Sequence, residues 1–158
     1  FTGTRCAYLV IPEELTISDS SGNKHSLGKL WFRRQSTKFN GTSYIIQKGA
    51  AQIYTKEGKQ ETQSLIDYYL GNAKIILEGL SSIGIKCTGG IHSPYIWLKT
   101  PNNIASWDFF DLLLDRCQVV GTPGSGFGKC GEGYFRLTSF GKTENTLEAI
   151  ERIKSLKI

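Results

Sequence analysis

A single arginine, Arg136, follows a glycine-rich segment in the last third of this chain. The segment Gly121–Leu137 places six glycines in the fifteen residues before Arg136. Glycine allows a backbone to approach a ligand closely and to adopt positive φ. A guanidinium held on a strand can give a carboxylate or a phosphate two parallel hydrogen bonds. The segment therefore predicts an anion site with Arg136 as its binding group, against the alternative of an ordinary exposed arginine on a sheet.

Two nucleotide-binding motifs fail on this segment. Gly126, Gly128 and Gly131 match the letters of the dinucleotide fingerprint, but that motif needs a helix directly after it, and the pattern here predicts a strand. A phosphate-binding P-loop would need a glycine where Pro123 stands and a hydroxyl residue where Cys130 stands. The loop is predicted to approach an anion of another kind.

The strand after the loop decides which way Arg136 faces. Side chains alternate between the two faces of a strand. Two sets of side chains are therefore predicted to face opposite ways: Phe135, Leu137 and Ser139 on one face, and Tyr134, Arg136 and Thr138 on the other.

The elements that must position this strand follow from hydrophobic spacing and turn residues. The order predicts an α+β fold with helices on one face of a small sheet. Gly58 is predicted to break a helix and Gly84 to cap one. The expected strands cover residues 5–10, 85–87, 94–98, 118–120 and 134–140, and the expected helices cover about 28–38, 43–55, 65–80, 105–116 and 147–153, with a polar connector at 18–24.

Composition narrows the class of protein. The 158 residues are 39% hydrophobic, enough for a core, and no apolar run approaches the length of a membrane helix. The four cysteines and two histidines lack the close pairs of a zinc site, so no metal is expected. Scattered cysteines favour free thiols in a reducing compartment, and a cytoplasmic location is the expectation. Because the chain starts at Phe1 and contains no methionine, we interpret it as an interior-to-C-terminal piece of a longer protein.

The net charge of +5 raises the question of an anionic partner such as a nucleic acid. Its densest cluster is Arg33–Arg34 with Lys38, interleaved with aromatic residues that could stack on bases. The favoured interpretation is an amphipathic helix with Trp31, Phe32 and Phe39 in the core and the basic groups in water. We expect no nucleic acid and no membrane partner.

Five segments together resemble one enzyme family, the fold-type-I, class I/II pyridoxal-phosphate aminotransferases. Within that family the set is most similar to the branch that acts on LL-diaminopimelate, and the resemblance covers essentially the whole chain. The segments are Phe1–Cys6, Lys38–Tyr44, Pro94–Pro101, Gly121–Gly128 and Gly131–Arg136.

The resemblance implies roles for three residues. Arg5 matches the arginine that holds the phosphate of pyridoxal 5'-phosphate, and Arg136 matches the arginine that binds the substrate α-carboxylate. Asn40 matches an asparagine that reaches cofactor and substrate across a dimer interface. Without the resemblance, a surface arginine and a plain Asn-Gly helix break remain open for Arg5 and Asn40. The family's Schiff-base lysine would precede Phe1, so no catalytic residue is expected in these residues and the piece alone is expected to be inactive.

The resemblance also implies an organisation and a reaction. Residues 1–30 would be the tail of the large cofactor-binding domain, and residues 31–158 the interdomain helices and the C-terminal small domain. The whole protein would be a homodimeric transaminase of lysine biosynthesis that makes LL-2,6-diaminopimelate from tetrahydrodipicolinate, with glutamate as amino donor. The alternatives are an aspartate- or alanine-type aminotransferase, or a non-catalytic anion-binding α+β module.

Overall fold

The computed structural model of the chain describes residues 2–156. It divides into two compact units, with the boundary between Thr62 and Gln63. None of the helices within the described range is long and apolar enough to cross a membrane. The helices are α1 Leu27–Lys38, α2 Tyr44–Ala51, α3 Lys56–Ser82, α4 Ser106–Cys117 and α5 Thr143–Lys154, and the strands are β1 Thr16–Ser18, β2 Lys24–Ser26, β3 Cys87–Gly89, β4 Tyr95–Lys99, β5 Thr122–Pro123 and β6 Tyr134–Thr138.

The first unit contains a small hairpin that the sequence predicted only as a polar connector. Strands β1 and β2 pair antiparallel. Their turn is organised by Asp19, whose carboxylate accepts hydrogen bonds from the Ser21 and Asn23 N–H groups and contacts the His25 ring. The bond to His25, followed by those to Asn23, lowers the pKa of Asp19 from 3.8 to about 2. The hydrogen bonds to the charged carboxylate therefore contribute fully to the stability of the turn above pH 3.8. This contribution to stability is lost as the pH falls through about 2.

The helices of the first unit are amphipathic, but their apolar side chains are not buried within it. Helix α1 begins at the Ser26 cap, whose hydroxyl accepts the Lys29 N–H, and no residue of α1 is buried. Trp31, Phe32 and Phe39 are 41%, 74% and 65% exposed. The expectation that these aromatics lie in a core is therefore wrong within this unit, because nothing described there packs over them.

Two further predictions for the first unit are wrong. Residues 5–10 form no strand, because in the described part of the chain no other strand pairs with them. Gly58 does not break a helix but lies in the first turn of α3, where Thr55 accepts its N–H. A Cβ at Gly58 would overlap the Gln52 backbone, so glycine is required there by packing.

The second unit holds a four-stranded antiparallel sheet in the order β3-β4-β6-β5. Helix α3 leads into it and ends as predicted, with Gly84 at φ 79° and the Ile85 N–H bonded to the Leu80 carbonyl. The predicted hairpin is confirmed, since β3 pairs with β4.

One face of this sheet carries the core. The paired residues Ile96 and Leu137, and Leu98 and Phe135, are buried. Helices α3, α4 and α5 supply the rest, as in the edge-to-face contact between Phe109 and Phe135 at 5.2 Å. The buried apolar side chains are Ala73, Ile76, Leu80, Ile85, Ile96, Leu98, Phe109, Leu113, Cys117, Phe135, Leu137, Ile150 and Ile153. The α+β prediction is confirmed.

The strand predicted at residues 118–120 is absent, because these residues cap helix α4. Gln118 adopts φ 52° and donates its N–H to the Leu114 carbonyl, while the Val119 N–H bonds to the Leu113 carbonyl. Backbone donors used in a cap are not available to a sheet. The strand begins later, at Thr122.

The four cysteines are all described and all are free thiols. Burial raises the pKa of the Cys87 thiol from 9.0 to about 11, and burial also raises the pKa of Cys117. For Cys87, the stabilising effect of burying a protonated thiol is therefore complete below pH 9. It is lost as the pH rises through about 11.

We expect iodoacetamide at pH 8 to modify Cys130, which is exposed, well before Cys87 and Cys117. The thiolate is the reactive form, and burial disfavours it at both of the slower positions. Timed alkylation followed by peptide mass spectrometry measures the order, with the denatured protein as the control in which the differences disappear. Equal rates for Cys87 and Cys130 in the folded protein would contradict the burial described here.

Candidate functional site

The sheet face opposite the core carries Arg136 and a row of aromatic rings. On β4 the side chains of Tyr95 and Trp97 alternate with buried ones, and on β6 Tyr134 and Arg136 do the same. Register places Trp97 opposite Arg136. The Trp97 and Tyr134 rings stack with centroids 5.5 Å apart. The predicted facing of Arg136 is confirmed by this burial pattern.

The Arg136 guanidinium is held by aromatic rings rather than by a carboxylate. Its central carbon lies 4.8 Å from the ring centroid of Tyr95 and 4.7 Å from that of Phe127. Nη2 reaches the Thr122 hydroxyl at 3.4 Å. Nε is buried and has no hydrogen-bond partner among the described residues. A guanidinium with an unsatisfied buried donor and apolar neighbours has unused capacity for an anion.

The glycine-rich segment is built by close packing within the chain. A Cβ at Gly121 would overlap the Phe135 ring, and one at Gly124 or Gly131 would overlap the other's backbone. By contrast, a Cβ at Gly126 or Gly128 would meet nothing within 4 Å. Packing therefore explains the glycines at 121, 124 and 131, whereas Gly126 and Gly128 leave space in which a ligand could approach.

The end of the glycine-rich segment is fixed to the start of α4. One carboxylate oxygen of Glu132 accepts the N–H groups of Ser106 and Gly133. The buried Ser106 hydroxyl donates to the Tyr134 carbonyl and accepts from the Gly133 N–H. These bonds set the position from which β6 starts, two residues before Arg136. Sequence reasoning did not identify Ser106 or Glu132.

The first unit contains the other two predicted site residues, Arg5 and Asn40. Both are exposed and both have left-handed backbones, at φ 57° and 69°. Asn40 follows helix α1, and its N–H bonds to the Gln35 carbonyl, so the helix-break interpretation explains its backbone. Chain neighbours of both residues, Cys6 and Phe39, line one groove of about 980 Å³. A left-handed arginine is uncommon, and such residues concentrate at functional sites.

The structure places one predicted anion-binding arginine in each unit. Arg136 offers a partly buried guanidinium edge with an unsatisfied Nε, which fits a carboxylate. Arg5 is an exposed residue, and the donor geometry of an arginine also fits a phosphate ester. Tyr95, Trp97 and Phe127 add apolar surface beside Arg136 that sequence reasoning missed. The period-two alternation of β4 could have revealed the first two.

The fold is that of a known class of enzyme. The family model for aminotransferase class I and II matches residues 1–153, and the chain belongs to that family. Members of this family generally use pyridoxal phosphate and generally form homodimers.

Among individual relatives, the chain is similar to LL-diaminopimelate aminotransferases. It is 59% identical over 157 residues to that of Methanosphaera stadtmanae and 57% identical over 156 residues to that of Azobacteroides pseudotrichonymphae. The L,L-diaminopimelate aminotransferase structure from Chlamydomonas reinhardtii matches 92% of the chain at 39% identity and a TM-score of 0.80. An aromatic aminotransferase from Pyrococcus horikoshii matches 77% of it at 26% identity, with a TM-score of 0.68.

The chain spans only part of these relatives. The two curated alignments include 99% of this chain but only 38% and 39% of the relatives' lengths. The structural match includes 34% of the Chlamydomonas chain. These shares fit the interpretation that it corresponds to one portion of an aminotransferase. The predicted domain boundary between residues 30 and 31 stays a prediction. It differs from the boundary between the two compact units, which lies between Thr62 and Gln63.

Proposed function

We propose that this chain is part of an aminotransferase that uses pyridoxal 5'-phosphate to transfer an amino group from glutamate to tetrahydrodipicolinate, which gives LL-2,6-diaminopimelate and 2-oxoglutarate. The observation that carries the proposal is the buried Nε of Arg136, which has no hydrogen-bond partner among residues 2–156, on the strand that follows the glycine-rich segment. The identity of 59% to a diaminopimelate aminotransferase over nearly the whole chain supports the substrate.

Arg136 would bind the α-carboxylate of each amino or 2-oxo acid. Two parallel hydrogen bonds from one guanidinium fix both the distance and the orientation of a carboxylate. Strand β6 gives Arg136 a rigid backbone. The rings of Tyr95 and Phe127 limit the rotation of its guanidinium. The bound acid then has one orientation about Cα, which places the bond to be broken at a defined angle.

Arg5 would hold the cofactor phosphate, and Asn40 would contact cofactor and substrate from a neighbouring subunit. When bound, pyridoxal phosphate supplies the electron sink that lets an α-proton leave. The residues of this chain bind and orient the acid and its cofactor. The family's lysine, which moves the proton, has no match among them.

We further infer a homodimer in the cytoplasm that serves lysine synthesis. The four free thiols fit a reducing compartment. The family generally forms homodimers, which supports the role proposed for Asn40. Residues 1–30 would belong to the large domain and residues 31–158 to the connecting helices and small domain.

The test is an activity measurement on the full-length protein that contains this chain. We expect it to convert LL-diaminopimelate and 2-oxoglutarate at a rate that far exceeds its rate with aspartate or alanine. Faster turnover of aspartate or alanine would favour an aminotransferase of those types. No transamination of any of these acids, with polyanion binding that weakens steeply with salt, would favour the non-catalytic anion-binding module.

A further inference from the structure

We propose that Phe127 and Tyr95 are positioning residues that hold the Arg136 guanidinium in the orientation that receives the substrate carboxylate. This inference rests on the proposed function and adds two residues to it. Neither residue is assigned a role by the family resemblance. Both act on the substrate only through Arg136.

The geometry around Arg136 leaves its orientation to aromatic rings. The Tyr95 and Phe127 centroids lie 4.8 and 4.7 Å from the guanidinium carbon. Among residues 2–156 its polar contact is a long one, 3.4 Å from Nη2 to the Thr122 hydroxyl. A cation is attracted to the face of an aromatic ring, and arginine stacks there while keeping its N–H groups in its own plane. The rings therefore fix the plane in which the guanidinium N–H groups lie.

Tyr95 is the fixed member of the pair. It lies on β4, opposite Thr138 of β6, and its ring meets Phe140 edge-on at 5.7 Å. Strand backbone and ring contact together hold it against Arg136. A residue on a rigid element positions its neighbour more closely than one on a loop.

Phe127 is the adjustable member. It lies between Gly126 and Gly128, where a Cβ would meet nothing within 4 Å, and Gly128 has φ 115°. Its ring is 54% exposed and meets Trp97 edge-on at 5.6 Å. Because this half-exposed ring contributes little to the core, its contact with the Arg136 guanidinium is the one that bears on substrate binding.

The experiment compares variants of the full-length enzyme with pyridoxal phosphate bound. We expect Phe127→Leu to raise KM for both LL-diaminopimelate and 2-oxoglutarate by about five- to tenfold, since loss of a cation–π contact of this kind weakens a site by about that factor. Because the contact acts equally on bound substrate and transition state, kcat should change by less than about twofold. Phe127→Tyr keeps a ring face and should restore both KM values.

Trp107→Leu is the matched control. Trp107 is also an exposed aromatic of the second unit, at 60%, and its ring contact is with Phe110 on α4. It should leave both KM values unchanged. The melting temperature of Phe127→Leu should equal that of the parent enzyme, which a purely structural role would not allow.

The outcomes separate this inference from the proposed function. Unchanged KM values in Phe127→Leu, in an enzyme that transaminates LL-diaminopimelate and loses activity on Arg136→Ala, would overturn the role of Phe127 alone. A fall in kcat with KM unchanged would also overturn it. An enzyme that is inactive on diaminopimelate before any substitution would overturn the proposed function instead. Tyr95→Leu should raise the same two KM values, and if it unfolds the protein the Phe127 series decides the result.

Discussion

Replacing Arg136 by alanine is expected to lower kcat/KM for LL-diaminopimelate by at least about 100-fold in the full-length enzyme. The expectation follows from two hydrogen bonds to a charged group, each worth about 1.5 to 3 kcal/mol. The loss falls on both substrates, because each presents an α-carboxylate to the same guanidinium. Steady-state rates with varied amino acid and with varied 2-oxo acid measure it.

Two further variants show whether the loss comes from the charge of Arg136, from its geometry, or from removing any arginine. Arg136→Lys keeps the charge but not the two-pronged donor or the planar stacking on Tyr95 and Phe127, so it should recover only part of the loss. Arg116→Ala removes an exposed arginine from the last turn of α4 and should have no effect beyond about twofold. A full recovery by lysine would mean that only the charge matters.

Replacing Gly131 by alanine is expected to destabilise the protein by about 3 kcal/mol or more, because the new methyl group would overlap backbone that cannot move aside. The clash is with the carbonyl group of Gly124. Gly131 and Gly124 pack against each other where the glycine-rich segment folds back before β6. Denaturant unfolding followed by circular dichroism measures the change.

Gly126→Ala is the matched control, because a methyl group there would meet nothing within 4 Å and no positive φ is required. Its free energy of unfolding should stay within about 0.5 kcal/mol of the parent. A loss in Gly126→Ala as large as that in Gly131→Ala would contradict the packing described for this segment.

The sequence predicted the second unit better than the first, and the reason is physical. Helices α3, α4 and α5 bury their apolar faces against one sheet, so spacing in the sequence corresponds to burial in the structure. In the first unit the apolar spacing is equally clear, yet Tyr8, Phe32 and Ile45 are 82%, 74% and 79% exposed. Periodicity reports which face is apolar and does not report what covers it.

The sequence predicted the charged residue of the site, Arg136, but not the side chains that surround it. Alternation along β6 was enough to place Arg136 on the open face. The glycines were first interpreted as room for a ligand, yet Gly121, Gly124 and Gly131 serve contacts between distant residues that a sequence does not show. Phe127 ends a four-residue 3₁₀ helix, Gly124–Phe127, which is too short for hydrophobic spacing to show which way its side chain points. Its contact with the guanidinium therefore appears only in three dimensions.

The most direct test of the central claim, that Arg136 binds the α-carboxylate, compares glutamate with 4-aminobutyrate. The second compound is glutamate without that carboxylate. We expect the ratio of kcat/KM for glutamate to that for 4-aminobutyrate to fall by about 100-fold on Arg136→Ala, because the preferred substrate alone loses its two hydrogen bonds. A ratio that stays constant while both rates fall together would show that Arg136 supports the fold or another group, and would contradict the account.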